Sequence, residues 1–360
     1  RAGAEDLETA GGCVFRNAGS KPYENVDLIR SLTVSSDVYY YTIGESIYIN
    51  PKHPENAIQD AAVSYGLGMQ TGIQLPFEQD GYIPTPQKRK QRHEDNPQIF
   101  PNGRWYPGDN VNISVGQGDV LVTPLQLANA YATFANGGTN FAPNIVSSVF
   151  DRDGEMLKEF GKRVKKEIEI DSDFRNRAIR GLVGVTEDVE GTAYWAFNSV
   201  ATDGAFFPIE NFPIAAKTGT AEVRGKADSS LFAAITPAQD PDYVMVAILE
   251  EAGFGSAVAA PMTARVLEKV VEDRVPEALT TENRYAVSVS LPLCIDWYIW
   301  RESDSLKNLE SFSDSEAEIF GPALSPDGTV KVRGIEINCE QVIETLLSPV
   351  DQLSIFSNME

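Results

Sequence analysis

Three short runs of strand-forming residues, separated by turn residues, restrict the possible folds of this chain more than any other feature. They are FPIAAKTGTAEV (212–223), SLFAAITP (230–237) and DYVMVAILEE (242–251). Runs of this length with turns between them predict adjacent antiparallel strands. The segment that follows, AVAAPMTARVLEKVVED (257–273), has the apolar spacing of an amphipathic helix.

Helical patterns also precede these strands. Between residues 26 and 49, apolar residues recur at three- to four-residue steps with one gap, which predicts a single helix. A second helix is predicted over 125–135, after Pro124 and before an Asn-Gly-Gly stop. A third is predicted over 172–187, capped by Ser172 or Asp173. The expected fold class is therefore α+β, with an antiparallel sheet flanked by helices.

Loops and turns are predicted between these elements. Residues 63–76 read as a turn-rich connection, and residues 143–160 predict a hairpin around an Asp-Gly turn. Residues 78–104 are polar and rich in Pro, which predicts a loop. Its basic cluster KRKQR (88–92) is interpreted as solvated, with a binding patch as the alternative.

The composition changes after residue 276, so we expect two domains, at 1–276 and 277–360. The second is acidic and is interpreted as a C-terminal extension or a small appended domain. Within it, residues 285–300 are strongly β-prone and residues 339–353 are helix-like.

Charge and composition exclude several classes of function. The net charge of −22 argues against binding to nucleic acid or to an anionic membrane surface. The three cysteines (Cys13, Cys294 and Cys339) are too far apart for a zinc motif and leave one disulfide possible. Both histidines (His53 and His93) lie in charged, Pro-rich sequence, which disfavours a Ser-His-Asp triad. No metal and no cofactor is therefore expected.

The stretch AAKTGTAEV combines a cation, hydroxyls and a glycine on one predicted strand. Gly219 has no side chain, so an extended substrate can lie against the strand edge and hydrogen-bond to its main chain. Lys217 supplies a cation for a carboxylate or for proton transfer. Thr218 and Thr220 supply hydroxyls and backbone N–H groups, and an N–H just after the glycine can hold a developing oxyanion. A triplet this short also occurs by chance. Its interpretation as part of an active site therefore depends on the other motifs in the chain.

Two further segments give the triplet its context. Ser35-Ser36-Asp37 provides an S-x-D, and residues 112–138 read NISVGQGDVLVTPLQLANAYATFANGG. The VGQG part is interpreted as a turn near a cleft rather than as a phosphate-binding loop, because no P-loop lysine follows it. The order S-x-D, VGQG, K-T-G resembles the transpeptidase domain of an elongation-type class B penicillin-binding protein. The resemblance spans roughly residues 26–273.

The resemblance implies a peptidoglycan D,D-transpeptidase, which cross-links stem peptides by serine acyl transfer at D-Ala-D-Ala and binds penicillin. It implies that Ser35 relays a proton to and from the nucleophile and that Asp37 holds the local geometry. It implies that Lys217 supplies positive field in the cleft. Thr218 and Thr220 would face the substrate carboxylate, and the backbone N–H of Thr220 would be one oxyanion donor.

The nucleophile motif of that family, S-x-x-K, does not occur, because no serine has a lysine three positions later. The chain also begins with Arg1 rather than Met. We therefore expect a partial copy of a longer protein, with a fold incomplete at its N-terminus, without the family's membrane anchor, and inactive alone.

Two other functions remain open at this stage. One is a related enzyme that hydrolyses or senses β-lactams, and the other is a non-catalytic penicillin-binding-like module. The resemblance implies stem peptides and β-lactams as ligands, and cell-wall synthesis proteins as further partners. It places the domain in the cell envelope, on the extracytoplasmic face of the cytoplasmic membrane.

Overall fold

The structure is a computed structural model of the 360-residue chain. It describes residues 6–8, 12–23, 25–198, 207, 209, 212–223, 225–271, 329–332 and 335–339. The chain divides into two units, Arg1–Asn198 with Ile209–Ala264, and Ser199–Pro208 with Arg265–Glu360. The domain boundary expected after residue 276 lies outside the described residues and stays a prediction. The β-prone run at 285–300 also lies outside them, as does the helix-like segment apart from Cys339.

Helices and strands alternate through the described residues. The helices are α1 Leu28–Thr33, α2 Asp37–Ile49, α3 Ala57–Ser64, α4 Pro86–Asp95, α5 Pro107–Ser114, α6 Pro124–Ala135, α7 Ser172–Glu187, α8 Tyr194–Asn198 and α9 Ala259–Val271. The strands are β1 Asp6–Glu8, β2 Val14–Arg16, β3 Thr139–Ala142, β4 Ser148–Phe150, β5 Met156–Glu159, β6 Arg163–Glu167, β7 Ala215–Ala221, β8 Ser229–Thr236, β9 Tyr243–Leu249, β10 Thr329–Val332 and β11 Ile335–Asn338.

The three predicted strands form one antiparallel sheet in the order β7-β8-β9. The register places Lys217 opposite Ala233 and Gly219 opposite Leu231. Strand β8 is buried along nearly its whole length, as expected of a central strand, and β7 is an edge strand among the described strands. Together with the helices, this sheet confirms the predicted α+β class.

Several local predictions are confirmed. Helix α6 begins after Thr123, whose hydroxyl accepts the backbone N–H of Gln126, and ends before Asn136. The hairpin predicted at 143–160 is formed by β4 and β5. The amphipathic helix predicted over 257–273 is confirmed from residue 259 to residue 271, where α9 lies.

Three predictions are wrong in their local detail. The single helix expected over 26–49 is two helices, because Ser35 adopts a left-handed backbone conformation that a helix cannot continue through. The expected loop at 78–104 contains α4, which Thr85 caps by accepting the N–H of Lys88, with Pro86 as the first helical residue. Helix α7 is capped by Asp171 rather than by Ser172 or Asp173.

Helix α7 connects the sheet to α1. Its apolar face joins a buried cluster with strands β7 and β8, made of Ala135, Ile179, Leu182, Ala215, Ile235 and Ala238. On its other side α7 approaches α1 closely, since a Cβ at Gly181 would lie 2.7 Å from the carbonyl oxygen of Ile29. The hydroxyl of Thr33 donates to the carbonyl of Gly181 at 3.0 Å. This packing holds the C-terminal end of α1 near β7.

The described part of the second unit contains an antiparallel hairpin of β10 and β11. Cys339 follows β11 and is disulfide-bonded, in agreement with the single disulfide that the sequence allowed. Among the residues that the structure describes, no helix has the length and apolar character needed to cross a bilayer.

Candidate active site

Ser35 lies at the end of α1 in a conformation that is rare for a residue with a side chain, with φ of 55°. Its N–H donates to Leu32 O at 3.3 Å, and the N–H of Ser36 donates to Ser31 O at 2.9 Å. These two bonds form a Schellman motif, in which the left-handed position is usually occupied by glycine. A serine that accepts this strain indicates that its side chain has a role.

Lys217 projects from β7 toward this turn. Its Nζ donates to Ser35 Oγ at 2.6 Å and to the carbonyl oxygen of Thr218 at 3.0 Å. The S-x-D segment and the K-T-G strand are therefore in direct contact.

Burial shifts the pKa values of both charged groups at this contact. Removal from water lowers the pKa of Lys217 from 10.5 to about 8, and the nearby Asp37 carboxylate opposes that shift. Burial likewise raises the pKa of Asp37, against the effects of a hydrogen bond from Ala18 N and of the Lys217 charge. A lysine with a pKa near 8 exchanges protons readily near neutral pH, as a proton relay requires.

The N-terminus of α2 is held by a residue from an earlier segment. Asn17 is only 4% exposed, and its Oδ1 accepts the N–H of Val38 at 3.0 Å and lies 3.5 Å from Ser36 Oγ. The next residue, Ala18, donates its N–H to Asp37 Oδ2 at 3.2 Å. Asn17 thus caps α2 in place of the local residue Ser36, whose side chain makes no capping bond.

The main chain of β7 presents polar groups at its free edge. The carbonyl of Thr218 accepts from Lys217, and the carbonyl of Thr220 accepts from Gln117 Nε2 at 3.2 Å, so neither points toward β8. In an antiparallel ladder the N–H and C=O of one residue point the same way. The N–H groups of Thr218 and Thr220 therefore face the edge as well, which is where an extended peptide or an oxyanion would meet them.

Two residues beside this edge were not predicted. Thr192 Oγ1 lies 2.7 Å from Thr218 Oγ1, and Gln117 bonds to Thr220 as described above. Gln117 belongs to the VGQG turn, which the sequence placed near a cleft, so its role was partly foreseeable. Thr192 lies in a Gly-Thr-Ala step after α7, and no sequence pattern joins it to a strand 26 residues later.

The structure thus brings Ser35, Asp37 and Lys217 together, and aligns Thr218, Gly219 and Thr220 along the same strand. Their chemical roles remain predictions. Within the described ranges, no group of three or more His, Cys, Asp or Glu side chains is placed to hold a metal ion.

Comparisons with known proteins cover most of the chain. The family model described as "Penicillin binding protein transpeptidase domain" matches residues 6–268. The peptidoglycan D,D-transpeptidase MrdA of Haemophilus influenzae is 28% identical over 285 residues, which cover 73% of this chain and 39% of that protein. The protein of the same name from Escherichia coli K12 is 29% identical over 252 residues, covering 66% of this chain and 36% of its own length. The chain thus spans less than two fifths of these relatives.

Solved structures show the same fold. PBP2 of Pseudomonas aeruginosa, solved in complex with WCK 5153, superposes with a TM-score of 0.61 at 24% identity, covering 79% of this chain and 56% of that one. A chain from a peptidoglycan synthase complex superposes with a TM-score of 0.56 at 27% identity, covering 73% of this chain and 40% of its own. The predicted transpeptidase fold is therefore confirmed.

Proposed function

This chain belongs to the family of penicillin-binding protein transpeptidase domains, and on that premise we propose that it takes part in serine acyl transfer on peptidoglycan stem peptides. The observation that carries the proposal is the 2.6 Å contact between Lys217 Nζ and Ser35 Oγ. It joins a group with a pKa near 8 to a hydroxyl, at the edge of a strand suited to an extended peptide.

The reaction has two steps, formation of an acyl ester and transfer of the acyl group to an amine. A serine hydroxyl attacks the carbonyl of the penultimate D-Ala and gives up its proton. The C–N bond then breaks, the terminal D-Ala leaves with a proton on its amine, and an acyl ester remains. An amine of a second stem peptide attacks that ester, loses a proton, and restores the serine hydroxyl. Each step needs a group that accepts a proton and returns it.

The residues of this chain fit that need. Ser35 and Lys217 form the proton relay, and the Asp37 carboxylate stabilises the protonated form of Lys217. The hydroxyls of Thr218 and Thr220 bind the substrate carboxylate. The edge-facing N–H of Thr220 stabilises the oxyanion, an interaction whose loss typically costs ~10²–10³ in rate.

The nucleophile is the part of this machinery that the 360 residues do not supply, because none of the serines is followed by a lysine three positions later. We therefore expect this chain to bind peptides and penicillin without forming a covalent adduct. That expectation also keeps a non-catalytic binding module as the second candidate function.

A direct test combines two measurements on the chain. We expect incubation with fluorescent penicillin, followed by denaturing electrophoresis, to give no label. We expect an N-acetylated peptide ending in D-Ala-D-Ala to bind reversibly, and Lys217→Met to weaken that binding at least tenfold. A covalent label on any serine would contradict the absence of a nucleophile, and unchanged binding by Lys217→Met would contradict the site.

Location and partners follow from the same proposal. The disulfide at Cys339 suits an oxidising compartment, which supports the extracytoplasmic side of the membrane. One structurally similar protein, PBP2 of Helicobacter pylori, was solved as a complex with MreC. By analogy of fold, we propose a cell-wall synthesis protein as a partner.

A further inference from the structure

Helix α4 carries a basic cluster in a strongly acidic chain. Four of its ten residues are Lys or Arg, whereas the whole chain has a net charge of −22. Arg89 and Arg92 line a cavity of about 180 Å³, and Arg89 also lines a neighbouring cavity of about 70 Å³. Asp119, which follows the VGQG turn, contributes to the walls of both cavities.

Arg92 is oriented by aromatic rings. Its guanidinium carbon lies 4.0 Å from the centre of the Phe100 ring and 5.2 Å from that of Tyr82. Such stacking holds the planar group in place while its N–H groups remain able to bind an anion at the edge. The geometry is therefore set before any ligand arrives.

Arg89 is held on two sides. Its Nη1 lies 2.5 Å from Asp109 Oδ1, and its guanidinium carbon lies 5.7 Å from the centre of the Trp105 ring. Asp109 is itself fixed, because its other oxygen accepts the N–H of Tyr106 at the start of α5. Both members of this ion pair line the smaller cavity, and Arg89 also lines the larger one.

The contact of Arg92 with Asp119 is much looser. Asp119 Oδ2 lies 3.5 Å from Arg92 Nη1, and the Asp119 side chain is 60% exposed. An exposed pair at this distance contributes little stability, so a better-placed carboxylate can replace it at low cost. Arg92 is thus the anchor for an incoming anion, and Asn102 also lines the cavity.

The size of the cavity limits the ligand. A volume of 180 Å³ is smaller than the usual pocket for a drug-sized molecule, which is ~300–1,000 Å³. It accommodates a carboxylate with a few attached carbon atoms, so the remainder of a larger ligand would extend into solvent.

One turn of the chain has residues at both the cavities and the candidate active site. Gly118 and Asp119 lie on cavity walls, and the residue just before them, Gln117, donates its side-chain amide to the carbonyl of Thr220. One turn therefore contacts the edge of β7 and forms part of the cavity.

We propose that Arg92, with Arg89 and Asn102, forms a subsite for a free carboxylate of the acceptor peptide, the stem peptide whose amine completes the acyl transfer. The proposal rests on the proposed function, since that reaction needs two peptides and the edge of β7 binds the donor. The subsite holds the acceptor by a carboxylate group and leaves its amine free to react.

The test measures two probes on the full 360-residue chain by isothermal titration calorimetry. The acceptor probe is N-acetyl-γ-D-glutamyl-L-lysine, which has two carboxylates and one amine, and the donor probe is the N-acetylated peptide ending in D-Ala-D-Ala. We expect Arg92→Gln to weaken the acceptor probe about tenfold and to leave the donor probe unchanged. Lys90→Gln, the matched control, removes a charge of the same helix that lines neither cavity, and should change neither affinity.

Each other outcome has a defined meaning. Equal weakening by Arg92→Gln and Lys90→Gln would reduce the effect to general charge attraction and overturn the subsite. Absence of acceptor-probe binding to the unmodified chain at millimolar concentration would also overturn it. If the acceptor probe binds through Arg92 but the donor probe does not bind at all, the carboxylate subsite stands and the proposed transpeptidase function fails. Equal melting temperatures for the three proteins verify that folding is unaffected.

Discussion

Lys217 Nζ and Ser35 Oγ lie 2.6 Å apart, although 182 residues separate them in the chain. Ser35 has a left-handed backbone conformation at the end of α1, and Lys217 lies on the edge strand β7. Both positions are energetically unfavourable. The backbone of Ser35 is strained, and the side chain of Lys217 is largely removed from water. Both costs are expected at a site where chemistry determines the residue.

The strain at Ser35 is measurable by comparing two variants that both lose the hydroxyl. Glycine relieves a left-handed conformation and alanine does not, so we expect Ser35→Gly to exceed Ser35→Ala in free energy of unfolding by about 1 kcal/mol. Urea unfolding followed by circular dichroism measures the difference. Equal stabilities would mean that the left-handed conformation is not populated in solution.

The pKa of Lys217 is expected to lie near 8 rather than at the ordinary 10.5. Removing the neighbouring charge by Asp37→Asn should lower it further, because the carboxylate favours the protonated amine. Titration of the lysine side-chain signals by NMR, assigned with Lys217→Met, measures both values. A pKa that rises in Asp37→Asn would show that the two groups do not interact as described.

The same shift predicts a pH dependence of stability. Between pH 8 and pH 10.5 the unfolded chain holds a proton on Lys217 that the folded chain has lost. The contribution of this residue to the free energy of unfolding therefore rises with pH across that window. Urea unfolding at several pH values should show this slope for the unmodified chain and a smaller slope for Lys217→Met. Identical slopes would argue against a depressed pKa.

Asn17 is expected to stabilise α2 although it lies outside that helix. Asn17→Ala removes the acceptor of the Val38 N–H and should cost about 1–2 kcal/mol in free energy of unfolding. The matched control is Ser36→Ala, at the conventional capping position, where no side-chain capping bond exists and a smaller loss is expected. A larger loss for Ser36→Ala than for Asn17→Ala would reverse the assignment of the cap.

Thr192 is expected to position the hydroxyl of Thr218. Thr192→Val keeps the shape but removes the 2.7 Å contact, and should weaken binding of the D-Ala-D-Ala peptide about three- to tenfold. Thr192→Ser keeps the hydroxyl and should bind like the unmodified chain. If Val and Ser variants bind equally, the contact has no part in ligand binding.

Sequence patterns predicted well those features that depend on neighbouring residues. The three strands around Lys217 follow from alternating strand formers and turns, and α6 follows from its Thr-Pro start and its Asn-Gly-Gly end. The break at Ser35 was missed because serine rarely occupies a left-handed position. The one gap in the apolar spacing, between Leu32 and Tyr39, lies at this break but was treated as part of a single helix. Helix α4 was missed because its polar composition outweighed the capping signal at Thr85.

Local periodicity and residue type are enough to predict the α+β class, the antiparallel pairing of the K-T-G strand, and the two segments that carry the reactive side chains. The folded chain was needed to show that Asn17 caps α2, that Thr192 and Gln117 meet the edge of β7, and that Lys217 is desolvated. Those contacts join residues that lie far apart in the chain, and no local pattern specifies which distant segments pack together.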